Sequence, residues 1–449
     1  MPLRIFHPGM LIEIVVMLAA ILLAYQARKN LWRAICMIAF LLPAYVVRLQ
    51  IGGIPTNALE LLILAAGTAV LWQKGTPQTY WQSLKNIPKP IKIWITLFVL
   101  AACMSTLISS QVLVSLGILK GWVFVPLLYA SLVCAARPST AQKQQLLYAL
   151  VASASAVSLV ALLMGRLGGR LQAFYDTPNS LALYIAPILA ATFWQAALPP
   201  AAPLEARRSG DKGGRGVAVH KRRLLTAAAT IQVMALIGSQ SVGAAVAVFI
   251  SLYIGVWLWL KKDKVKTLVV LTSLAVICAW LLWQSGKLPY LLKPIANPQT
   301  HNSATVRLQL WSISWDLIKE NPVLGVGLGQ FEPAYQQKLT ARLRACHPES
   351  LEGSMKSLAY NCERLASEFV FRDPHNWILA FWLNIGLLGL LSFMSLNIMV
   401  LKKIRLKQDS IYTSYYLLLI TVLLFGLVDT IYWKNDLSIM WWLLVAILA

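Results

Sequence analysis

Apolar runs of bilayer-spanning length recur along nearly the whole chain, near residues 10–27, 31–48, 56–73, 91–109, 116–135, 144–164, 178–197, 224–240, 242–260, 267–285, 375–401, 412–431 and 436–449. The runs lack strand-like alternation, and a chain in lipid must satisfy its own backbone, so each is predicted to be a helix rather than a barrel strand. The pattern predicts an all-α polytopic membrane protein with twelve or thirteen transmembrane helices. The first span carries Glu13 and the last is short, which leaves the side of the N-terminus open. One polar stretch, Gly286 to Pro374, interrupts the series and is expected to form a large, mainly helical loop outside the membrane. The expected organisation is a helix bundle over 1–285, the loop over 286–374 and C-terminal helices over 375–449, integrated in a single domain.

Composition agrees with this pattern. Hydrophobic residues make up 58% and charged residues only 13% of the 449, with mean hydropathy +0.65, which excludes an ordinary soluble enzyme. A net charge of +23 would point to nucleic acid in a soluble protein. Here the basic residues fall in alternate connections: Arg28 to Arg33, Lys74 to Lys92, Arg137 to Lys143, Arg207 to Arg223, Lys261 to Lys266 and Lys402 to Lys407. The positive-inside rule turns those connections toward the cytoplasm and the 286–374 loop toward the outside, and no nucleic-acid partner is expected. Pro199 to Arg223 has the composition of a mobile linker. The first apolar run lacks a small-residue cleavage site and is followed by basic residues, so direct insertion without a cleaved leader is expected.

Cys36, Cys103, Cys134 and Cys278 lie in apolar spans, where a thiol acts as a small hydrophobe. Cys346 and Cys362 share the outer loop and are expected to pair in an oxidising compartment, a closure worth about 3 kcal/mol. The alternative is two free thiols.

Three segments carry candidate chemistry. In Thr305-Val-Arg307-Leu-Gln-Leu-Trp311-Ser-Ile-Ser-Trp315-Asp-Leu-Ile318, helical spacing puts Arg307, Trp311, Trp315 and Ile318 on one face, and Asn321-Pro322 should end the helix. The following Val323-Leu-Gly325-Val-Gly327-Leu-Gly329-Gln-Phe331 has no strand before it and is read as tight backbone packing rather than a nucleotide loop. In Arg372-Asp373-Pro374-His375-Asn376-Trp377, Asp373 is expected as the N-cap, Pro374 as the first helical residue and His375 in the first turn. The helix dipole there disfavours imidazolium, so His375 is a candidate general base. The plainer alternative is an interfacial histidine that hydrogen-bonds a neighbour. In the third segment Arg170 precedes Thr177-Pro178-Asn179, which opens the next span. Arg170, Arg307 and free N–H groups at two helix starts would suit a diphosphate, although each arginine alone could simply snorkel.

This order of motifs resembles the O-antigen ligase and polymerase superfamily. An outer arginine precedes a Pro-Asn helix start; an Arg-x-x-x-Trp helix leads into Asn-Pro-Val-Leu-Gly-Val-Gly-Leu-Gly-x-Phe; and His-Asn opens a helix that continues into Gly386-Leu-Leu-Gly389. The resemblance implies a glycosyltransferase that moves a glycan from an undecaprenyl-type polyprenyl diphosphate carrier to an acceptor. The acceptor would be lipid A core, a growing polymer or a protein, on the outer face of the bacterial inner membrane. It further implies Arg170 and Arg307 at the carrier diphosphate and His375 as the base. Two positions depart from the family's pattern. Ser239-Gln-Ser241 stands where relatives often have Ser-Arg-Gly, and Asn384 occupies a region that often carries glutamate.

Such a donor already has a good leaving group, so two arginines and a neutral histidine suffice, and metal-independent, inverting transfer without a cofactor is expected. Asn179, Asn376, Arg48, Arg372 and Lys434 are possible auxiliary residues, and Asp429, Tyr432 and Asp436 cluster with Lys434 in the last outer turn. Most of the tryptophans are expected in interfacial belts. Ligase and polymerase need the same site and remain open, with a lean to ligase. A secondary transporter would show midplane broken helices and duplication, and a non-catalytic envelope subunit would tolerate loss of His375.

Overall fold

The computed structural model describes residues 8–51, 53–72, 76–165, 169–197, 212–259, 269, 272–273, 303–345, 371–405 and 409–448. The elements are α1 (Pro8–Lys29), α2 (Leu31–Phe40), a 3₁₀ turn (Leu42–Val46), β1 (Arg48–Ile51), β2 (Ile54–Asn57), α3 (Ala58–Leu71), α4 (Thr76–Lys85), α5 (Lys89–Leu107) and α6 (Val112–Leu119). A π turn (Lys120–Phe124) then runs into α7 (Val125–Ala136), α8 (Thr140–Met164), α9 (Pro178–Ala197), α10 (Lys212–Ser239) and α11 (Val242–Trp259). The chain continues with α12 (Ser303–Glu320), α13 (Phe331–Ala345), α14 (Trp377–Arg405), α15 (Ser410–Phe425) and α16 (Asn435–Leu448). The protein is an all-α multi-pass membrane protein. Among the described residues, six helical stretches are by themselves long and apolar enough to cross a bilayer: Leu11–Lys29, Lys89–Leu107, Val112–Ala136, Thr140–Met164, Pro178–Ala197 and Trp377–Lys403.

α9 is buried along nearly its whole length and packs against α10, α11 and α15; α14 packs on α5, and α16 on α7. α1 lies against α3 and leaves Leu11, Val15, Leu18 and Leu22 exposed, as a lipid-facing helix requires. At one end of the bundle the basic connections meet. There the Trp32 indole donates to Gln145 at 3.0 Å, the Lys143 ammonium to the Ile447 carbonyl at 2.9 Å, and the Arg222 guanidinium to the Ala196 carbonyl at 3.1 Å. The connections that carry the candidate chemistry gather at the other end. Among the described residues, the basic connections around Arg33, Lys143 and Arg222 thus lie together, apart from the candidate chemistry.

Several boundaries differ from the sequence expectations. The span over 31–48 stops as a helix at Phe40; Pro43 sits in the 3₁₀ turn, and an antiparallel hairpin follows with Arg48 opposite Asn57. The 412–431 helix ends at Phe425, so Asp429 lies in a turn. The linker expectation fails for 212–223, which is the first part of α10. The tryptophan-belt expectation fails for Trp377, Trp433, Trp441 and Trp442, which are buried. Trp441 and Trp442 join Phe98, Phe381, Phe393 and Tyr432 in an aromatic core, with Phe381 and Phe393 stacked at 3.9 Å. The 267–285 span, apart from residues 269, 272 and 273, lies outside the described residues, as do Cys346, Cys362 and their expected disulfide.

The glycine-rich loop after α12 explains itself through α14. Backbone angles break that helix at Ile385 (φ −133°) and Gly386 (φ 70°), and the break would orphan backbone groups inside the bundle. The loop supplies their partners: Val326 N–H donates to the Leu383 carbonyl at 2.9 Å, and Leu387 N–H donates to the Val323 carbonyl at 2.9 Å. The approach is so close that a Cβ on Gly325 would lie 2.3 Å from the Leu383 oxygen, and one on Gly386 would lie 2.4 Å from the Val323 oxygen. The Asn384 side chain accepts from Gly329 N–H at 2.8 Å, so this asparagine holds the loop. The reading of these glycines as backbone packing agrees with this geometry.

Candidate functional site

The site is built on the turn between α15 and α16, residues 426–435. It contacts the Arg307 helix, the segment around His375 and the first turn of α9. Gly426 accepts from Trp377 N–H at 2.8 Å, and the Leu427 carbonyl accepts from the Asn376 side chain at 3.0 Å. The Val428 carbonyl accepts from Arg307 Nε at 2.6 Å, and Asp429 Oδ1 lies 3.1 Å from His375 Nδ1. Lys434 donates to the Ser180 hydroxyl in the first turn of α9. The turn itself is pinned from below: Tyr432 donates to the Trp122 carbonyl at 2.6 Å, and Asn435 donates to Glu60 at 2.9 Å. Glu60 is buried and also pairs with Lys120 at 2.9 Å.

His375 is not in the first turn of a helix. α14 starts at Trp377, and Asn376 is its cap, accepting from Ile378 and Leu379 N–H at 2.9 and 3.2 Å. Asp373, expected as the cap, instead accepts from His375 N–H at 3.0 Å and closes a turn that holds His375 at φ 48°. That left-handed backbone is uncommon for a residue with a Cβ, although histidine tolerates it better than most. The imidazole side chain is 28% exposed, whereas that of Asp429 is 5% exposed. Nδ1 faces Asp429, so the tautomer that satisfies this contact carries its proton on Nδ1 and its lone pair on Nε2.

The electrostatics correct the expected helix-dipole effect. Burial alone would lower the imidazole pKa, but the Asp429 hydrogen bond and the charges of Asp373 and Asp429 outweigh both burial and the opposing Arg307 and raise it above its ordinary value. Burial would in turn raise the Asp429 carboxyl, but the imidazole, Thr430 N–H and Arg307 hold it below the usual carboxylate range. The pair is therefore a strong base backed by an ionised, buried carboxylate. Asp429 Oδ2 is buried with no hydrogen-bond partner among the described residues.

Arg307 stands beside this pair. Its Nη1 donates to the Ser303 carbonyl at 3.1 Å and to the Ser303 hydroxyl, while Trp311, one turn on, donates to the Pro374 carbonyl at 3.1 Å. Trp315 packs edge-on against Trp382 at 6.1 Å, and Ile318 is buried, so the predicted face of α12 is the face that seats the 373–376 segment and the start of α14. Arg170 lies across the turn between α10 and α11: its Nε donates to the Ser239 carbonyl at 2.8 Å and its Nη2 to Asn179 at 3.0 Å. A Cβ on Gly243, in the same region, would meet Val428 at 2.9 Å, which links the Arg170 and Arg307 neighbourhoods through the 426–435 turn. Thr177 caps α9 as expected, accepting from Ser180 N–H at 3.1 Å.

The remaining candidates fare differently. Asn179, Asn376 and Lys434 belong to this cluster of contacts. Arg48, on β1, and Arg372 are exposed and make no hydrogen bond to it among the described residues. Asp429 is a candidate functional residue that the sequence pointed to only as one of a cluster of outer charges. Its separation of 54 positions from His375 hides the pairing. The usable signal was an aspartate in a short turn between two apolar runs.

No curated protein matches the chain. Residues 227–394 match the family model described as O-Antigen ligase, a stretch that includes Arg307, the glycine-rich loop and His375, and over it the chain carries a domain of the O-antigen ligase and polymerase superfamily.

Proposed function

We propose that this protein transfers a glycan from a polyprenyl diphosphate to an acceptor hydroxyl on the outer face of the bacterial inner membrane, in the manner of an O-antigen ligase. The observation that carries the reading is the His375–Asp429 contact at 3.1 Å with Arg307 bound to the neighbouring Val428 carbonyl. A base and a fixed cation share one turn. His375 Nε2 takes the proton of the acceptor hydroxyl, and the hydroxyl oxygen bonds to the anomeric carbon of the donor. The bond from that carbon to the carrier's phosphate oxygen breaks, and its electron pair leaves with the diphosphate. Arg307 and Arg170, with Lys434 of the 426–435 turn, offset the charge that develops there. Attack opposite the diphosphate inverts the anomeric centre, and the chemistry needs no metal.

The test is incubation of the purified full-length protein in detergent with a polyprenyl-diphosphate oligosaccharide and candidate acceptors, with products sized by mass spectrometry. One glycan moved to a different molecule supports the ligase; a ladder of repeats on the carrier shows a polymerase using the same site. Solute uptake into proteoliposomes without any transfer overturns the reading in favour of a transporter.

A further inference from the structure

Asp429 is not the only carboxylate at the base. Asp373 Oδ1 lies 3.4 Å from His375 Nδ1, on the same nitrogen that Asp429 approaches at 3.1 Å. The same oxygen accepts His375 N–H at 3.0 Å and the Thr430 hydroxyl. Thr430 follows Asp429, so one oxygen of Asp373 fastens the left-handed histidine to the turn that carries its other partner. Among the described residues, the charged groups acting on this imidazole are Asp429 from the last turn, Asp373 from its own segment and Arg307 from α12, and the Phe371 ring packs edge-on at 5.8 Å.

We infer that Asp373 is a positioning residue of the transfer reaction, which fixes His375 in its left-handed turn and shares with Asp429 the positive charge that the imidazole acquires on accepting the acceptor's proton. The inference rests on the proposed role of His375 as base. When Nε2 takes the hydroxyl proton, both ring nitrogens carry hydrogens and the ring is cationic. Nδ1–H remains directed at Asp429 while Asp373 stands beside it, so the charge forms between two fixed carboxylates without reorganisation. Arg307 opposes protonation of the imidazole, and the two carboxylates beside the base outweigh that cation.

The experiment reads the titration of His375 directly, by nuclear magnetic resonance of histidine-labelled full-length protein in detergent. The chain has 5 histidines, and the spectrum of His375→Ala assigns the signal. Asp373→Asn keeps an oxygen for His375 N–H and the Thr430 hydroxyl but removes the charge. The midpoint is expected to move to lower pH in Asp373→Asn and in Asp429→Asn, and further in the double variant. Asp373→Glu, which keeps the charge, should stay nearer the wild type. The acid limb of kcat/KM for transfer should move in the same direction, with a fall of about tenfold or more in the plateau rate of Asp373→Asn. A midpoint in Asp373→Asn equal to that of the wild type overturns the inference. A shifted midpoint in a protein that transfers no glycan keeps the charge sharing and overturns the proposed function instead, so the two failures are distinguishable.

Discussion

Replacing Gly325 with alanine probes the seam where the glycine-rich loop closes the break in α14. The residue has φ 71°, and a Cβ there would lie 2.3 Å from the Leu383 oxygen and 2.4 Å from the Trp382 oxygen. A left-handed residue with a Cβ costs about 1–2 kcal/mol, and displacing packed backbone about 1–3 kcal/mol more. The two loop-to-helix hydrogen bonds, from Val326 N–H and Leu387 N–H, would be lost at about 1 kcal/mol each. The expected loss is about 4–7 kcal/mol, large against a total stability of about 5–15 kcal/mol. Thermal unfolding in detergent, followed by tryptophan fluorescence, is the assay. Gly386→Ala should behave alike, because its Cβ would meet the Val323 oxygen from the opposite side at 2.4 Å. Gly117, in the middle of α6 with nothing within 4 Å of its Cβ position, is the control, and alanine there should be neutral or slightly stabilising. A Gly325→Ala protein that unfolds with the wild type would refute the argument that the loop and the helix break are one structure.

Three further predictions follow from the site. Transfer by the wild type should rise with pH through an apparent pKa above the ordinary imidazole value of 6.5, because the base must be neutral and its carboxylate neighbours favour the protonated form; a pH-rate profile of kcat/KM checks this, and a limb below 6.5 contradicts it. Asp429→Asn should lower kcat by about 10²- to 10⁴-fold and move that limb to lower pH, whereas Arg307→Ala should cost about 10²- to 10³-fold in kcat with the limb moved upward, since Arg307 opposes protonation. Glu60→Ala removes the shared acceptor of the Asn57 and Asn435 side chains and the ion-pair partner of Lys120 and should destabilise the protein by about 3 kcal/mol in the same unfolding assay.

Local patterns were legible in the sequence, and long-range closures were not. The α12 face of Arg307, Trp311, Trp315 and Ile318 and its stop at Asn321 follow from helical spacing, as does the cap at Thr177, because each depends on neighbours within a few residues. The start of α14 lies later than the sequence predicts, at a Pro-containing junction: Asp373 and Asn376 are both good caps, and the choice is made by the contacts of Asn376 and Trp377 with Leu427 and Gly426 far along the chain. That same turn brings Asp429 to His375 and replaces a dipole-neutralised imidazole by a carboxylate-supported one. Trp441 and Trp442 look like belt residues by composition, yet they fill the core beneath the site, where the Trp442 indole donates to Tyr432 at 2.8 Å. Lys434 and Asn179 are legible only as polar positions near span ends; in the structure Lys434 donates to Ser180 in the first turn of α9, and Asn179 in that same turn accepts from Arg170.

The central claim is that His375 is the base of a glycan transfer. The most direct measurement is the rate of transfer from a polyprenyl-diphosphate oligosaccharide by the wild type beside His375→Ala, Arg307→Ala and Arg170→Ala, each first shown to unfold near the wild-type temperature. The account predicts that the wild type turns over, that His375→Ala falls by about 10²-fold or more, and that the two arginine variants lose turnover or donor affinity. Equal rates in all four folded proteins would contradict it, and would reduce these residues to anchors of the helix ends.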